Sequence, residues 1–333
     1  ALRPAPIPDD APRVRIAAVQ GNVDQDAKWV RERFAQTLAD YEAGTRAAAG
    51  QGAQIVVWPE SAVTRLLELD FPVRERLETL ARETGVTLVV GSVGSDVDAL
   101  GRVTDFYDSA FAIAPTGEWL AGYGKTRLVP FGEYVPLRAW IDRFARAIAT
   151  GLASGDLTAG ERPVAIDLPV APAPGPSAGT AAVRGSASIR AGVPICYELL
   201  FPDLVRRFVH DGAGVLLAMT NDAWYGRTGA PYQFLVMTAM RSAETGVWTV
   251  RAANTGVTAA IDEAGRVREA TAIFEPAVLV ADVPIRPSGS TPTFYVRHGD
   301  VFAWGCGAAA LVALAAARWR RRAGATGTAS AEE

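Results

Sequence analysis

Three short stretches of this chain hold a carboxylate, an ammonium and a thiol in that order. They are Glu60 in Val56-Val57-Trp58-Pro59-Glu60-Ser61, Lys125 in Tyr123-Gly124-Lys125-Thr126, and Cys196 in Val193-Pro194-Ile195-Cys196-Tyr197-Glu198. Together they suit covalent acyl chemistry. The thiol attacks a carbonyl, the carboxylate takes and returns the proton, and the ammonium steadies the negative oxygen of the tetrahedral intermediate. Each also has a plainer reading alone. A Cys after an apolar run is commonly an inert core residue, Glu60-Ser61 could open a helix, and a lone Lys usually lies at the surface.

The elements that must position these groups read as α/β layering. Val14–Gln20 and Gln54–Trp58 predict strands, with one long helix between them over about Ala27–Ala49. A helix near Val73–Thr84 leads to a strand at Val86–Gly91. Further strands are expected at Phe106–Ala114, Ser188–Cys196, Gly214–Thr220, Val247–Ala252, Val257–Asp262 and Ala277–Val283. Helices are expected at Asp203–Asp211 and Tyr232–Glu244, and Asp262–Gly265 reads as a turn. Glu60 and Cys196 then both fall at carboxyl ends of buried strands, where open α/β sheets gather reactive groups. Burial beside Trp58 is expected to raise Glu60 into the range of a general base. The helix after Cys196 is expected to favour its thiolate.

Composition narrows the field. The chain has 333 residues, 49% of them hydrophobic, and a net charge of −3 with no basic stripe in its main body, so nucleic acid is not an expected partner. Only two cysteines and two histidines are present, which leaves little for a disulfide framework, a zinc site or a Ser-His-Asp enzyme. His210 and His298 read as surface residues. The chain opens at Ala1 without Met or an apolar leader-like run, so its start reads as a processing point or an artificial boundary.

Two segments point to a membrane. Val301–Ala317 is wholly apolar or small and, as a helix, would span about 25 Å. Trp304 and Trp319 stand near its ends, and Arg318, Arg320, Arg321 and Arg322 follow it. That charge asymmetry predicts a spanning helix with the arginines cytoplasmic and everything before Val301 on the outer face. A buried Ala-rich core helix is the other reading. In Pro136–Ala149, Leu137, Trp140, Ile141, Phe144 and Ile148 recur at helical spacing, and this face either packs on the core or rests on a membrane surface. Pro169–Ser186 reads as a flexible Pro/Ala/Gly/Ser loop, and the tail after Arg322 as a disordered polar end.

With these residues in view, the chain resembles the nitrilase, or carbon–nitrogen hydrolase, superfamily, and within it the apolipoprotein N-acyltransferases. The resemblance is carried by Ala18-Val19-Gln20-Gly21-Asn22-Val23 with Lys28-Trp29, by Trp58-Pro59-Glu60-Ser61, and by Lys125 followed by Leu128-Val129-Pro130-Phe131-Gly132-Glu133-Tyr134-Val135-Pro136. Ile195-Cys196-Tyr197-Glu198, Asn221-Asp222-Ala223-Trp224-Tyr225-Gly226, Met240-Arg241 and Asn254-Thr255-Gly256 complete it. It covers about Arg13 to Arg322. Asp108 stands where an Asn is commoner, and Pro231-Tyr232-Gln233 replaces a His-containing version of that segment.

The resemblance implies a nitrilase-like α-β-β-α sandwich over 13–297, after a linker at 1–12. A transmembrane helix over 298–318 and a cytoplasmic tail over 319–333 would follow, the membrane helices that precede such a domain being absent. It implies Glu60, Lys125 and Cys196 as catalytic residues, with Glu133, Tyr197 and Glu198 in support. Trp29, Trp224 and Tyr225 would line the acyl or amine path, although core packing is the other reading for each aromatic. The implied reaction moves a fatty acyl chain from a membrane phospholipid, through a Cys196 thioester, to the amine of a diacylglyceryl-modified apolipoprotein. It needs no metal or organic cofactor and would run in a monomer at the cytoplasmic membrane. A membrane-tethered amidase of the same fold and a non-enzymatic binding module are the alternatives.

Overall fold

The computed structural model describes residues 6–137, 156–171 and 187–327. Two mixed sheets form its centre. The first contains β1 (Arg13–Gln20), β2 (Ile55–Val57), β3 (Val63–Leu66), β4 (Thr87–Val97), β5 (Val103–Ile113), β6 (Tyr123–Gly124) and, at its edge, β13 (Ala277–Pro284). The second holds β7 (Ile166–Val170), β8 (Ala187–Gly192), β9 (Val215–Thr220), β10 (Trp248–Ala253), β11 (Ala259–Ile261) and β12 (Val267–Ala270). Each sheet has parallel strands at its centre, β1-β2-β4 in one and β8-β9-β10 in the other, and antiparallel strands outside them, apart from the short β3, which pairs parallel with β4.

Alternation along the strands builds the layers. Ile55 and Val57 of β2 face the second sheet, in a core shared with Ile195, Leu217, Met219 and Val250. Val56 and Trp58 face the other way, onto α1 (Phe34–Gly50) and α2 (Phe71–Thr84), through Leu38, Tyr41, Leu77 and Leu80. β9 is buried along its whole length, as a strand covered on both faces must be. α3 (Pro202–His210) packs Leu204, Val205 and Phe208 against the second sheet, and α4 (Ala230–Thr245) meets β11 through Leu235 and Ala239. The expected α-β-β-α sandwich is therefore the observed one.

Some local expectations are corrected. The long helix predicted over Ala27–Ala49 is three pieces: a helical turn at Gln25–Lys28, a 3-10 turn at Arg31–Arg33, and α1. The break falls at Trp29 and Val30, both exposed, so the apolar repeat there is not a continuous buried face. Pro169 and Val170, read as loop, belong to β7. That is an edge strand, where a missing N–H is tolerated. The rest of the Pro/Ala/Gly/Ser stretch, from 172 to 186, lies outside the described residues, as does the amphipathic stretch from residue 138 on.

After a short helix at Phe294–His298 the chain enters α5 (Val301–Gly327). Its Val301–Arg320 portion is long and apolar enough to cross a membrane, and none of it counts as buried among the described residues. Among the described residues the segment is therefore not part of the buried core.

Candidate active site

Glu60 follows β2 on a turn whose next residue, Ser61, has φ +48°. The turn sits so close to β4 that only Gly91 fits beneath it: a Cβ there would lie 2.1 Å from the Pro59 carbonyl oxygen. Glu60 is buried and each carboxylate oxygen has a donor. Oε1 accepts from Lys125 Nζ at 3.0 Å, and Oε2 accepts from the Asn221 backbone N–H at 2.7 Å, just past β9. Trp58 does not line the site. Its indole stacks on Tyr41 with centroids 4.9 Å apart and donates to Thr45 Oγ1 at 2.8 Å, because the period of the strand turns it toward the helices.

Lys125 follows β6 and is fully buried. Its ammonium contacts three carboxylates: Glu60, Asp108 Oδ2 at 3.2 Å and Glu133 Oε1. Oxygens of those three acids lie within 4.8 Å of one another, an arrangement shaped for a cation, and the Lys125 ammonium contacts all three. Burial alone would lower Lys125, but the Glu60 and Glu133 carboxylates outweigh it and hold the ammonium well above its ordinary value. Burial likewise pushes Glu60 up, yet Lys125 prevails and keeps the carboxyl below its ordinary value. The raised Glu60 expected from its Trp-Pro context is thus corrected. An ammonium 3.0 Å away stabilises the anion more than burial disfavours it.

Cys196 lies past the strand that was expected to end on it. β8 stops at Gly192, Ile195 makes an isolated bridge with Met219, and Cys196 starts a 3-10 turn over Cys196–Leu200. Its φ is +47°, a strained conformation for a side chain with a Cβ, and such strain is often held at reactive positions. Burial pushes the thiol well above its ordinary range, the Glu60 carboxylate adds to the shift, and Lys125 opposes it. The resting group is a thiol. The thiolate expected from a following helix does not arise, since α3 begins only at Pro202 and burial, reinforced by Glu60, disfavours the anion.

Glu133 and Glu198 hold this arrangement in different ways. Glu133 bonds Lys125 and also accepts the Val129 N–H at 2.9 Å, closing its own loop. Glu198 instead bonds the chain on either side of the reactive groups. It accepts from Thr126 N at 2.7 Å, from Tyr123 Oη at 2.6 Å and from Ile195 N at 2.8 Å. Tyr197 is half-buried, its ring edge-on to Phe201, and its N–H precedes the first bonded amide of the 3-10 turn, that of Glu198 to Ile195 O.

The three aromatics are not core residues. Trp29 is 56% exposed, Trp224 71% and Tyr225 37%. Burial pushes the Tyr225 hydroxyl up to about 12, and the Asp222 and Glu60 carboxylates add to the shift. Trp29 borders a cavity of about 350 Å³ whose other walls include Leu66, Val93, Phe106 and Leu157, with Arg65 among them.

Three participants were given no role in the site from the sequence. Lys28 is buried and donates to the Glu60 carbonyl at 2.9 Å. Asn221 donates to Glu60 and is itself held by Asn254 Nδ2 at 3.0 Å. Asp108 bonds Lys125. All three stand in stretches that carry the resemblance or depart from it, which was the available signal.

The carbon–nitrogen hydrolase family profile matches residues 15–292, which spans both sheets and every residue of this site. The chain belongs to that family. Among curated carbon–nitrogen hydrolase relatives, the apolipoprotein N-acyltransferase of Geobacter metallireducens is 37% identical over 95% of this chain and 56% of its own length. That of Rhodopseudomonas palustris is 32% identical over 90% and 52%. The chain thus spans a little over half the length of the curated relatives it matches. An amidase from Nesterenkonia sp. shares the fold, with a TM-score of 0.57 at 20% identity, covering 84% of this chain and 92% of that one.

Proposed function

We propose that this chain is the catalytic portion of an apolipoprotein N-acyltransferase, with Glu60 as proton carrier, Cys196 as nucleophile and Lys125 as oxyanion partner. The observation that carries the reading is a buried Glu60 carboxylate held by Lys125 at 3.0 Å and by the Asn221 N–H at 2.7 Å, with buried Cys196 on the neighbouring turn; Lys125 keeps Glu60 below its ordinary value and burial pushes Cys196 above its own. Those are the states from which base-assisted thiol attack starts.

In the first half-reaction the Cys196 proton passes to Glu60 and sulfur bonds to the ester carbonyl of a phospholipid. Lys125 and the Tyr197 N–H stabilise the oxyanion. The carbon–oxygen bond then breaks, the lysophospholipid oxygen takes the proton from Glu60, and a thioester remains. In the second, the α-amine of a diacylglyceryl-cysteine lipoprotein attacks the thioester and Glu60 accepts its proton. The carbon–sulfur bond breaks and Cys196 regains the proton. Both substrates are lipids. The exposed Trp29, Trp224 and Tyr225, the apolar cavity beside Trp29 and the apolar α5 support an approach from a bilayer.

We assign residues 298–318 to a membrane span, 319–333 to the cytoplasmic side and the sandwich to the outer face, on the strength of the arginines that follow the apolar run. The test is the intact mass of the protein after incubation with phospholipid in detergent micelles, with Cys196→Ser as control. A fatty-acyl increment that disappears on adding a diacylated lipopeptide amine is expected. No increment together with turnover of a simple amide would make the chain an amidase instead.

A further inference from the structure

Three carboxyl groups crowd one ammonium in this site, and their hydrogen bonds are unequal. Both oxygens of Glu60 accept a donor, from Lys125 and from the Asn221 N–H. Both oxygens of Glu133 do as well, from Lys125 and from the Val129 N–H. Asp108, on β5, is different. Its Oδ2 meets Lys125 at 3.2 Å, whereas its Oδ1 is buried and has no donor among the described residues. A buried carboxylate oxygen with no donor is costly, unless it carries the proton itself.

We propose that Asp108 holds a proton on Oδ1 and donates it to the Glu60 carboxylate, acting as a neutral positioning residue rather than as a third anion. This rests on the catalytic role assigned to Glu60 and Cys196 above. The charges facing Asp108 agree with it. Glu60 comes from the turn after β2, Lys125 from the end of β6, Glu133 from the loop beyond it and Lys28 from the helical turn before α1. With Asp108 neutral, the two ammonium groups balance Glu60 and Glu133. With Asp108 ionised, a net negative charge would be buried beside the sulfur that must itself become negative. Like charges this close, with oxygens within 4.8 Å of one another, disfavour ionising all three acids together. Burial pushes Asp108 well above the ordinary carboxylate range; Lys125 opposes that, and Glu60 and Glu133 reinforce it.

The neutral acid would do two things. It accepts from Lys125 through Oδ2 without adding a charge, and it gives the Glu60 carboxylate another donor, fixing the orientation in which that base meets the thiol. The shared proton stays in place through both half-reactions, so no proton is consumed.

Infrared spectroscopy of the full chain in micelles at neutral pH tests this without turnover. A protonated-carboxyl C=O band that shifts in D2O is expected. It should be lost in Asp108→Asn and retained in Glu133→Gln. Labelling the aspartates with carbon-13 reads the same assignment in the unmutated protein, so a variant that misfolds does not block the test. A band that ignores aspartate labelling, that disappears only in Glu133→Gln, or that is absent altogether overturns the proposal. In acyl-enzyme formation, Asp108→Asn keeps both a donor and an acceptor and should run about ten-fold faster than Asp108→Ala. If neither assay finds an acyl-enzyme but the aspartate band is present, the transferase reading fails while the protonation assignment stands.

Discussion

Glu198 accepts the Thr126 N–H at 2.7 Å, and this bond ties the segment that carries Lys125 to the turn that carries Cys196. The same carboxylate bonds Ile195 N, one residue before the thiol, so the two reactive groups are set relative to each other by a residue that touches neither. Replacing Glu198 by Ala removes the acceptor for the Thr126 N–H, the Tyr123 hydroxyl and the Ile195 N–H, donors that lie at a buried position. We expect a loss of about 3 kcal/mol in chemical denaturation. Acyl-enzyme formation should fall further than that destabilisation explains at temperatures where the variant is still folded. Full activity in folded Glu198→Ala would show that the spacing of Lys125 and Cys196 is set elsewhere.

The thiol makes a second prediction, with a sign opposite to that of most nucleophilic cysteines. Glu60 raises Cys196 by its charge, so Glu60→Gln should let the thiol ionise at lower pH than in the unmutated protein. Alkylation by iodoacetamide, followed by mass spectrometry across a pH series, should therefore shift to lower pH in Glu60→Gln. Acyl transfer in the same variant should fall by about 10²- to 10⁴-fold, because the proton carrier is gone. Alkylation moving to higher pH would mean that Glu60 activates the resting thiol directly.

Much of this site could be read before folding, and its gaps have physical causes. Glu60 and Cys196 were legible because each follows an apolar β-rich run, and Lys125 because its neighbours made the resemblance specific. Lys28 was not, since nothing in the polar stretch Asp24–Lys28 signals that the lysine turns inward to the Glu60 carbonyl. Asp108 stood out only as an odd residue, because its meaning depends on a lysine contributed by another strand. The direction of the Glu60 shift was misjudged for the same reason. Local context gives burial, whereas the compensating ammonium comes from a residue distant in sequence. In the fold, the layers followed from alternation along strands such as β2. The edge strand β7 was hidden by its Pro, and the break after Lys28 by an apolar repeat that continued across it.

Gly91 supplies a third test. A methyl group at this position would meet the Pro59 carbonyl oxygen at 2.1 Å and the Glu60 Cα at 2.8 Å, both backbone atoms with little room to yield. Gly91→Ala should cost about 1–3 kcal/mol. It should also displace the Glu60 turn, so that acyl-enzyme formation drops even at low temperature. Gly50→Ala is the control, because nothing lies within 4 Å of a Cβ there, and its thermal midpoint and activity should stay near those of the unmutated chain. Equal behaviour of the two variants would show that the Glu60 turn tolerates displacement from β4.

Lys28 exposes a conflict between stability and activity. Burial lowers it from 10.5 to about 8, although the Glu60 carboxylate draws it back. Its folded value lies below its unfolded one, so between about 8 and 10.5 the unfolded chain binds more protons and stability rises with pH. Below about 8 both states are charged and the buried ammonium destabilises the fold in full, by about 3 kcal/mol. Lys28→Met removes that penalty but gives up the bond to the Glu60 carbonyl, itself worth about 1 kcal/mol. The variant should therefore be more stable than the unmutated protein at pH 7, with the gain shrinking as pH approaches 10.5. Its acyl-enzyme formation at pH 7 should nonetheless fall by about ten-fold or more, since one of the two cations beside Glu60 and Cys196 is lost. Denaturation midpoints at neutral and alkaline pH, measured alongside acyl-enzyme formation, check both halves. A gain in stability that does not change with pH would locate the penalty in packing rather than in the charge of Lys28.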